Sequence, residues 1–207
     1  MNFDEKAREW DNNPARRERA CAVAEAMRRQ VPLRPTMTAL EYGCGTGLLS
    51  FELRHELGRI VLADNSTGML EVLQEKITAA QAKNLFPIRL DLLVDPLPAQ
   101  RFDLIYSLMT LHHILDTQRI LSLFHRLLLP GGYLCIADLD KEDGSFHQEP
   151  FEGHLGFERQ ELAELATAVG FEVLGFETVY RMVKLVDGCQ RHYPIFLMTA
   201  RKREIFA

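Results

Sequence analysis

The chain has 207 residues, with 24 Lys plus Arg against 29 Asp plus Glu, a formal net charge of -5 and 47% hydrophobic residues. That length supplies one domain with a full core, and the acidic balance argues against a protein that grips phosphate backbones. The opening MNFDEKAREWDNN has no apolar leader, no run reaches the length of a membrane span, and Cys21, Cys44, Cys135 and Cys189 show no zinc or C-x-x-C spacing. A reduced, cytoplasmic protein without membrane insertion, nucleic-acid partner or metal site is expected.

Short apolar runs alternate with amphipathic stretches, which predicts an α/β sheet with parallel strands. Residues 1–34 read as a helical arm placed to act as a lid. Within it Ala20, Val23, Ala24, Met27 and Val31 form one stripe, and Pro32 and Pro35 end it. Residues 36–43 predict the first strand; Leu49, Leu53 and Leu57 then mark a helix stopped by Gly58. The second strand covers 59–65, and Ser66 caps a helix carrying Met69, Leu73 and Ile77. Strands follow at 86–93 and 102–109. A helix from Asp116 turns Ile120, Leu123, Phe124 and Leu127 inward, breaks at Pro130-Gly131-Gly132 and turns into a strand over 133–140. The polar stretch 141–156 has the length of a lid or binding loop. A helix with Leu162, Leu165, Ala166 and Val169 on one face stops at Gly170. Two β-rich runs joined by DGCQRH then predict an antiparallel hairpin. The whole chain 1–207 reads as one domain whose sheet is mostly parallel, with an antiparallel strand arriving last.

Chemistry concentrates in Glu41-Tyr-Gly43-Cys-Gly45-Thr-Gly47, between the first strand and its helix. Glycines there let a ligand lie against the main chain, and the helix start supplies amide donors. A dinucleotide fingerprint would need a third glycine at position 48, which is Leu48, and no Gly-Lys-Ser/Thr is present. Asp64 ends the second strand, where a carboxylate can accept both hydroxyls of a ribose or simply cap the next helix.

With these residues the sequence resembles the class I S-adenosylmethionine-dependent methyltransferases, over essentially its whole length. LEYGCGTG looks like the first motif, VLADNSTGML the second and RLDLLVDPLP the third. FDLIYSLMTLHHI and LLLPGGYLCIADL are similar to the later segments of small-molecule members, including the quinone-biosynthesis-like branch. The resemblance implies a Rossmann-like three-layer sandwich with a seven-stranded sheet. It implies S-adenosyl-L-methionine as cofactor, S-adenosyl-L-homocysteine as product and a small-molecule acceptor. Glu41, Gly43, Gly45 and Gly47 would surround the methionyl part, Asp64 and Asn65 the ribose, Met69, Asp91 and Leu92 the adenine. Ser107 would place a strand-end carbonyl near the cofactor's amino group.

Methyl transfer is an in-line displacement that needs a base only if the acceptor must lose a proton. His112 and His113, after the fourth strand, are the candidates, although such a pair can also tie the loop down. His147, His154 and Trp10 are expected to line the acceptor pocket. Arg16, Arg17 and Arg19 read as a solvated face from which one could meet an acidic acceptor. A non-catalytic cofactor-binding protein on the same fold is the alternative, and the oligomeric state is open.

Overall fold

In the computed structural model residues 2–147 and 151–203 are described. A short helix α1 (Phe3–Lys6) and a 3-10 helix (Ala7–Asn12) lead into α2 (Pro14–Gln30). Then come β1 (Thr38–Tyr42), α3 (Leu48–Leu53), β2 (Arg59–Asp64), α4 (Thr67–Ala79), β3 (Leu85–Arg89) and β4 (Phe102–Leu108). A 3-10 turn (Leu111–His113) precedes α5 (Thr117–Leu127), β5 (Leu128–Leu139), α6 (Arg159–Ala168), β6 (Phe171–Val186) and β7 (Cys189–Lys202).

The seven strands form one sheet in the order β3-β2-β1-β4-β5-β7-β6. β1 pairs in parallel with β2 and β4, whereas β7 runs antiparallel to both β5 and β6. Strand alternation divides the core between two faces. Ile60 and Leu62 of β2 join a cluster with Val23 and Met27 of α2 and Leu73 of α4. Val61 and Ala63 join the opposite cluster, with Phe124 of α5 and Leu162 of α6. The result is the expected α/β three-layer, Rossmann-like sandwich, with the last strand antiparallel.

Local expectations fail where glycine and proline serve packing instead of termination. Gly58 does not stop a helix, because α3 already ends at Leu53; a Cβ at 58 would run into the Pro35 carbonyl. The third strand stops at Arg89, since residues 91–95 turn, with the Val94 and Asp95 amides donating to the Asp91 carbonyl. Pro130-Gly131-Gly132 does not end α5, which stops at Leu127; it lies within β5, at a register shift against β4. On α5 Leu121 is fully buried and Leu123 only partly. The final hairpin turns through Asp187-Gly188 alone, both with positive φ. Among the described residues no helix is long and apolar enough to cross a membrane.

Candidate functional site

The sheet order reverses between β1 and β4, and beside their carboxyl ends lies a cavity of about 1010 Å³. Its lining comes from the glycine loop, the amino-terminal arm, the 3-10 turn after β4, the loop after β5 and the end of β6.

The glycine loop is bound from both sides. Gly43 sits at φ +70°, and a Cβ there would run into Thr110, whose Oγ1 donates to the Gly43 carbonyl at 3.2 Å. The Gly43 and Cys44 amides donate to the Ala63 carbonyl, at 2.8 and 3.0 Å. Asp64 accepts from the Gly45 amide at 2.7 Å and from the Ser66 amide at 2.9 Å. Burial raises its carboxyl above the usual value, and those two amides pull the other way. The cap of α4 is Ser66, whose Oγ accepts from the Met69 amide at 3.2 Å. Asp64 is therefore free of that duty and ties β2 to the glycine loop.

Glu41 is buried at the end of β1. Ser50 Oγ donates to it and also lies 2.6 Å from the Tyr106 hydroxyl. Burial pushes the Glu41 carboxyl up to about 8, so it is largely uncharged at neutral pH. Glu41, Gly43, Gly45, Asp64, Asn65, Met69 and Asp91 all line the cavity. Asp91 also organises its turn, with Oδ1 accepting from the Leu93 amide at 2.9 Å. Gly47, Leu92 and Ser107 are not part of the lining. Gly47 caps α3, and a Cβ there would meet Leu73. Leu92 is buried and donates its amide to the Tyr42 hydroxyl at 3.2 Å. Ser107 is buried, with its Oγ unpartnered among the described residues.

The two histidines after β4 play different parts. His112 is buried, its Nδ1 2.7 Å from Asp138 Oδ1 and its amide donating to Asp138 Oδ2 at 3.2 Å. Burial raises the Asp138 carboxyl, but the His112 contacts and the Leu139 amide outweigh it and hold it below the usual range. His113 faces the cavity, edge-on to Phe3 and Phe151 at 5.4 and 5.2 Å between centroids. Burial, with His112 alongside, pushes its imidazole down to about 4. His147 stacks on Phe151 at 3.6 Å, and burial with the neighbouring His112 lowers it to about 4.

Trp10 lines the cavity beneath the Arg16 guanidinium, 3.7 Å from its ring centroid. His154 is placed elsewhere, and its expected pocket role is corrected. Its Nε2 lies 3.1 Å from Thr117 Oγ1 and 3.0 Å from the Ile114 carbonyl, and its amide donates to the His112 carbonyl at 2.8 Å. It locks the loop to the 3-10 turn. The solvated arginine face is corrected too, since Arg19 is 7% exposed and lines the cavity. Its signal was present in sequence: Arg19, Val23 and Met27 follow one another at i, i+4, i+8 on the buried stripe. Asp138 was also missed, although a carboxylate inside the apolar run YLCIADL needs a partner.

Residues 40–136 match the family described as methyltransferase domain. An uncharacterised methyltransferase of Schizosaccharomyces pombe is 33% identical over 118 residues, covering 54% of this chain and 42% of the relative. A demethylmenaquinone methyltransferase of Symbiobacterium thermophilum is 31% identical over 112 residues, covering 52% of this chain and 45% of the relative. The chain thus spans about half, or less, of the curated relatives just named. The crystal structure of a SAM-dependent methyltransferase from Aquifex aeolicus superposes with a TM-score of 0.71 at 22% identity, covering 96% of this chain and 98% of that one. Residues 40–136 are similar to a methyltransferase domain, and the chain has the fold of solved S-adenosylmethionine-dependent methyltransferases.

Proposed function

We propose that the protein transfers a methyl group from S-adenosylmethionine to a small-molecule acceptor. The observation that carries this reading is a single cavity joining the Asp64-braced glycine loop to the uncharged His113. The residues present fit the cofactor. Gly43 leaves no room for a side chain beneath a ligand, Asp64 offers carboxylate oxygens where a ribose would lie, and Met69 and Asp91 flank an adenine position. Glu41 and Gly45 would serve the methionyl part and Asn65 the ribose edge. Gly47, Leu92 and Ser107 would act by shaping the walls. Bound there, the cofactor supplies a methyl group activated for in-line displacement.

The chain's own work is alignment, exclusion of water and proton handling. Phe3 and Trp10 cover the cavity from residues 1–34, which act as its lid within a single domain. The arm is pinned to the site's elements, with Asp11 accepting from Thr46 Oγ1 and from Lys76 Nζ, both at 2.5 Å. His113, neutral at physiological pH, is the base for an acceptor that must lose a proton. His112, held by Asp138, is a positioning residue for the turn that carries it. The quinone-biosynthesis-like branch rests on the demethylmenaquinone methyltransferase likeness alone.

The test is calorimetric titration with S-adenosylhomocysteine, with NAD as control and Asp64→Ala as paired variant. Micromolar binding, weakened at least tenfold by Asp64→Ala and unmatched by NAD, is the expected result. Folded wild-type protein that binds neither ligand would sink the reading.

A further inference from the structure

Arg16 and Arg19 on α2 and Lys184 on β6 line the cavity, and none of them forms an ion pair with a carboxylate among the described residues. Arg19 is the deepest. Its terminal nitrogen reaches Met182 Sδ at 3.0 Å, a weak acceptor, and its Nε is buried without a partner among the described residues. Lys184 Nζ donates to the Phe146 carbonyl at 2.6 Å and sits 3.5 Å from that ring's centroid. Arg16 is occupied by the Trp10 ring and carbonyl.

Two of the carboxylates that attract these cations are committed elsewhere, and the third, Glu142, keeps one buried oxygen, Oε1, without a partner among the described residues. Asp138 is taken by His112, Asp11 by Lys76 and Thr46, and Glu142 Oε2 by the Gly144 and Phe146 amides at 2.9 Å each. Burial, with Arg16 nearby, brings the Arg19 guanidinium down only to about 10, so it stays charged at neutral pH. Burial, with Arg19 nearby, also lowers the Lys184 ammonium. A buried cation without an anion is costly, and Arg19 is one.

We propose that the acceptor carries an anionic group, a carboxylate or a phosphate, which seats between Arg19 and Lys184. This rests on the methyltransferase reading and names the acceptor class that the same cavity takes. The Arg19 guanidinium, which lines the cavity with no carboxylate partner among the described residues, suits an oxyanion, and the ammonium adds a second donor. A cationic wall also opposes a sulfonium in the same cavity, and an anionic acceptor offsets both. The cofactor's own carboxylate is a second source of the same chemistry. For Lys184 the sheet order favours the acceptor: β6 is the far edge strand, separated from β4 by β5 and β7, whereas the glycine loop follows β1.

The experiment titrates benzoate and phenyl phosphate, with benzamide as neutral twin, into protein saturated with S-adenosylhomocysteine. Wild type, Arg19→Met, Arg19→Lys and Lys184→Met are compared, each checked for folding by its melting transition. At least one anion should bind tenfold or more tightly than benzamide. Arg19→Met and Lys184→Met should each erase most of that preference, with adenosylhomocysteine affinity within twofold of wild type; Arg19→Lys should keep part of it. If Arg19→Met does not fold, the comparison of Arg19→Lys and Lys184→Met with wild type decides. Equal binding of benzamide and the anions, or unchanged anion binding in the variants, overturns the proposal. A tenfold loss of adenosylhomocysteine affinity in Arg19→Met also overturns it, assigning the cation to the cofactor's carboxylate. Wild type that fails to bind adenosylhomocysteine at all fails the methyltransferase reading itself, a result distinct from the others.

Discussion

Glu41 and the histidines His113 and His147 couple the site to pH with opposite signs. Glu41 rises from 4.5 to about 8 on folding, through burial, so between those values the folded state holds a proton that the unfolded state has released. Stability therefore falls as pH rises through that window. His113 and His147 drop from 6.5 to about 4, also through burial first, so the unfolded state binds the extra protons between 4 and 6.5 and stability falls as pH drops there. Below 6.5 the two histidines outweigh the one carboxyl; above it Glu41 acts alone. Denaturant unfolding of the ligand-free protein should peak near pH 6.5. From there to pH 8 Glu41 removes roughly 2 kcal/mol, at about 1.4 kcal/mol per unit. Glu41→Gln should flatten that descending limb and steepen the acid limb between pH 4.5 and 6.5, where Glu41 opposes the two histidines; an unchanged descending limb would refute the assignment. Above pH 5 His113 is already neutral, so any rate step in which it acts as base should show no ionisation of this residue between pH 6 and 9. His113→Gln should lower kcat by about 10²-fold or more if it takes the acceptor's proton, a loss measurable once an acceptor is in hand.

The arm of α1 and the following 3-10 helix buries little of its own and owes its position to a few polar contacts. Asp4 accepts from Ser66 Oγ at 2.6 Å and from the Gly68 amide at 2.8 Å, placing a carboxylate at the amino end of α4. Asp11 bridges Lys76 and Thr46 beside the glycine loop. Removing Asp11 should release the arm without unfolding the sheet. In Asp11→Ala, amide exchange over residues 3–12 should speed by at least tenfold, and dissociation of bound adenosylhomocysteine should quicken, while β1, β2 and β4 keep their protection. Such contacts were invisible in sequence, because they join residues more than 30 positions apart. The stripes of α2, α4 and α6 and the runs of β2, β4 and β7 were legible because periodicity records one buried face. Gly58 and Pro130-Gly131-Gly132 misled because the same residue types end helices and permit close approach or a bulge. The glycine loop and Asp64 were legible because their chemistry is local in sequence. Arg19, Lys184 and Asp138 belong to the site through α2, β6 and β5, which only the fold brings together.

At the scale of the molecule, the cavity joins segments whose positions are otherwise set by separate packing. The glycine loop links β1 to α3 on one face of the sheet, while the turn carrying His112 and His113 leads to α5 on the other. A ligand that touches both, and also the arm, binds only the folded state, so its binding energy becomes folding energy. At 100 times its dissociation constant, adenosylhomocysteine should add about 2.7 kcal/mol. For a domain of this size that corresponds to a melting temperature higher by roughly 5–11 °C. Asp64→Ala, weakened tenfold, should at the same ligand concentration retain about 1.4 kcal/mol and roughly half the shift. NAD should shift neither protein, because Leu48 stands where a pyrophosphate loop needs glycine. Scanning calorimetry across a ligand series separates the possibilities. A shift growing with the logarithm of concentration, halved by Asp64→Ala, is what a ligand spanning these elements produces. An identical shift in both proteins would mean that adenosylhomocysteine stabilises some surface other than the Asp64 cavity.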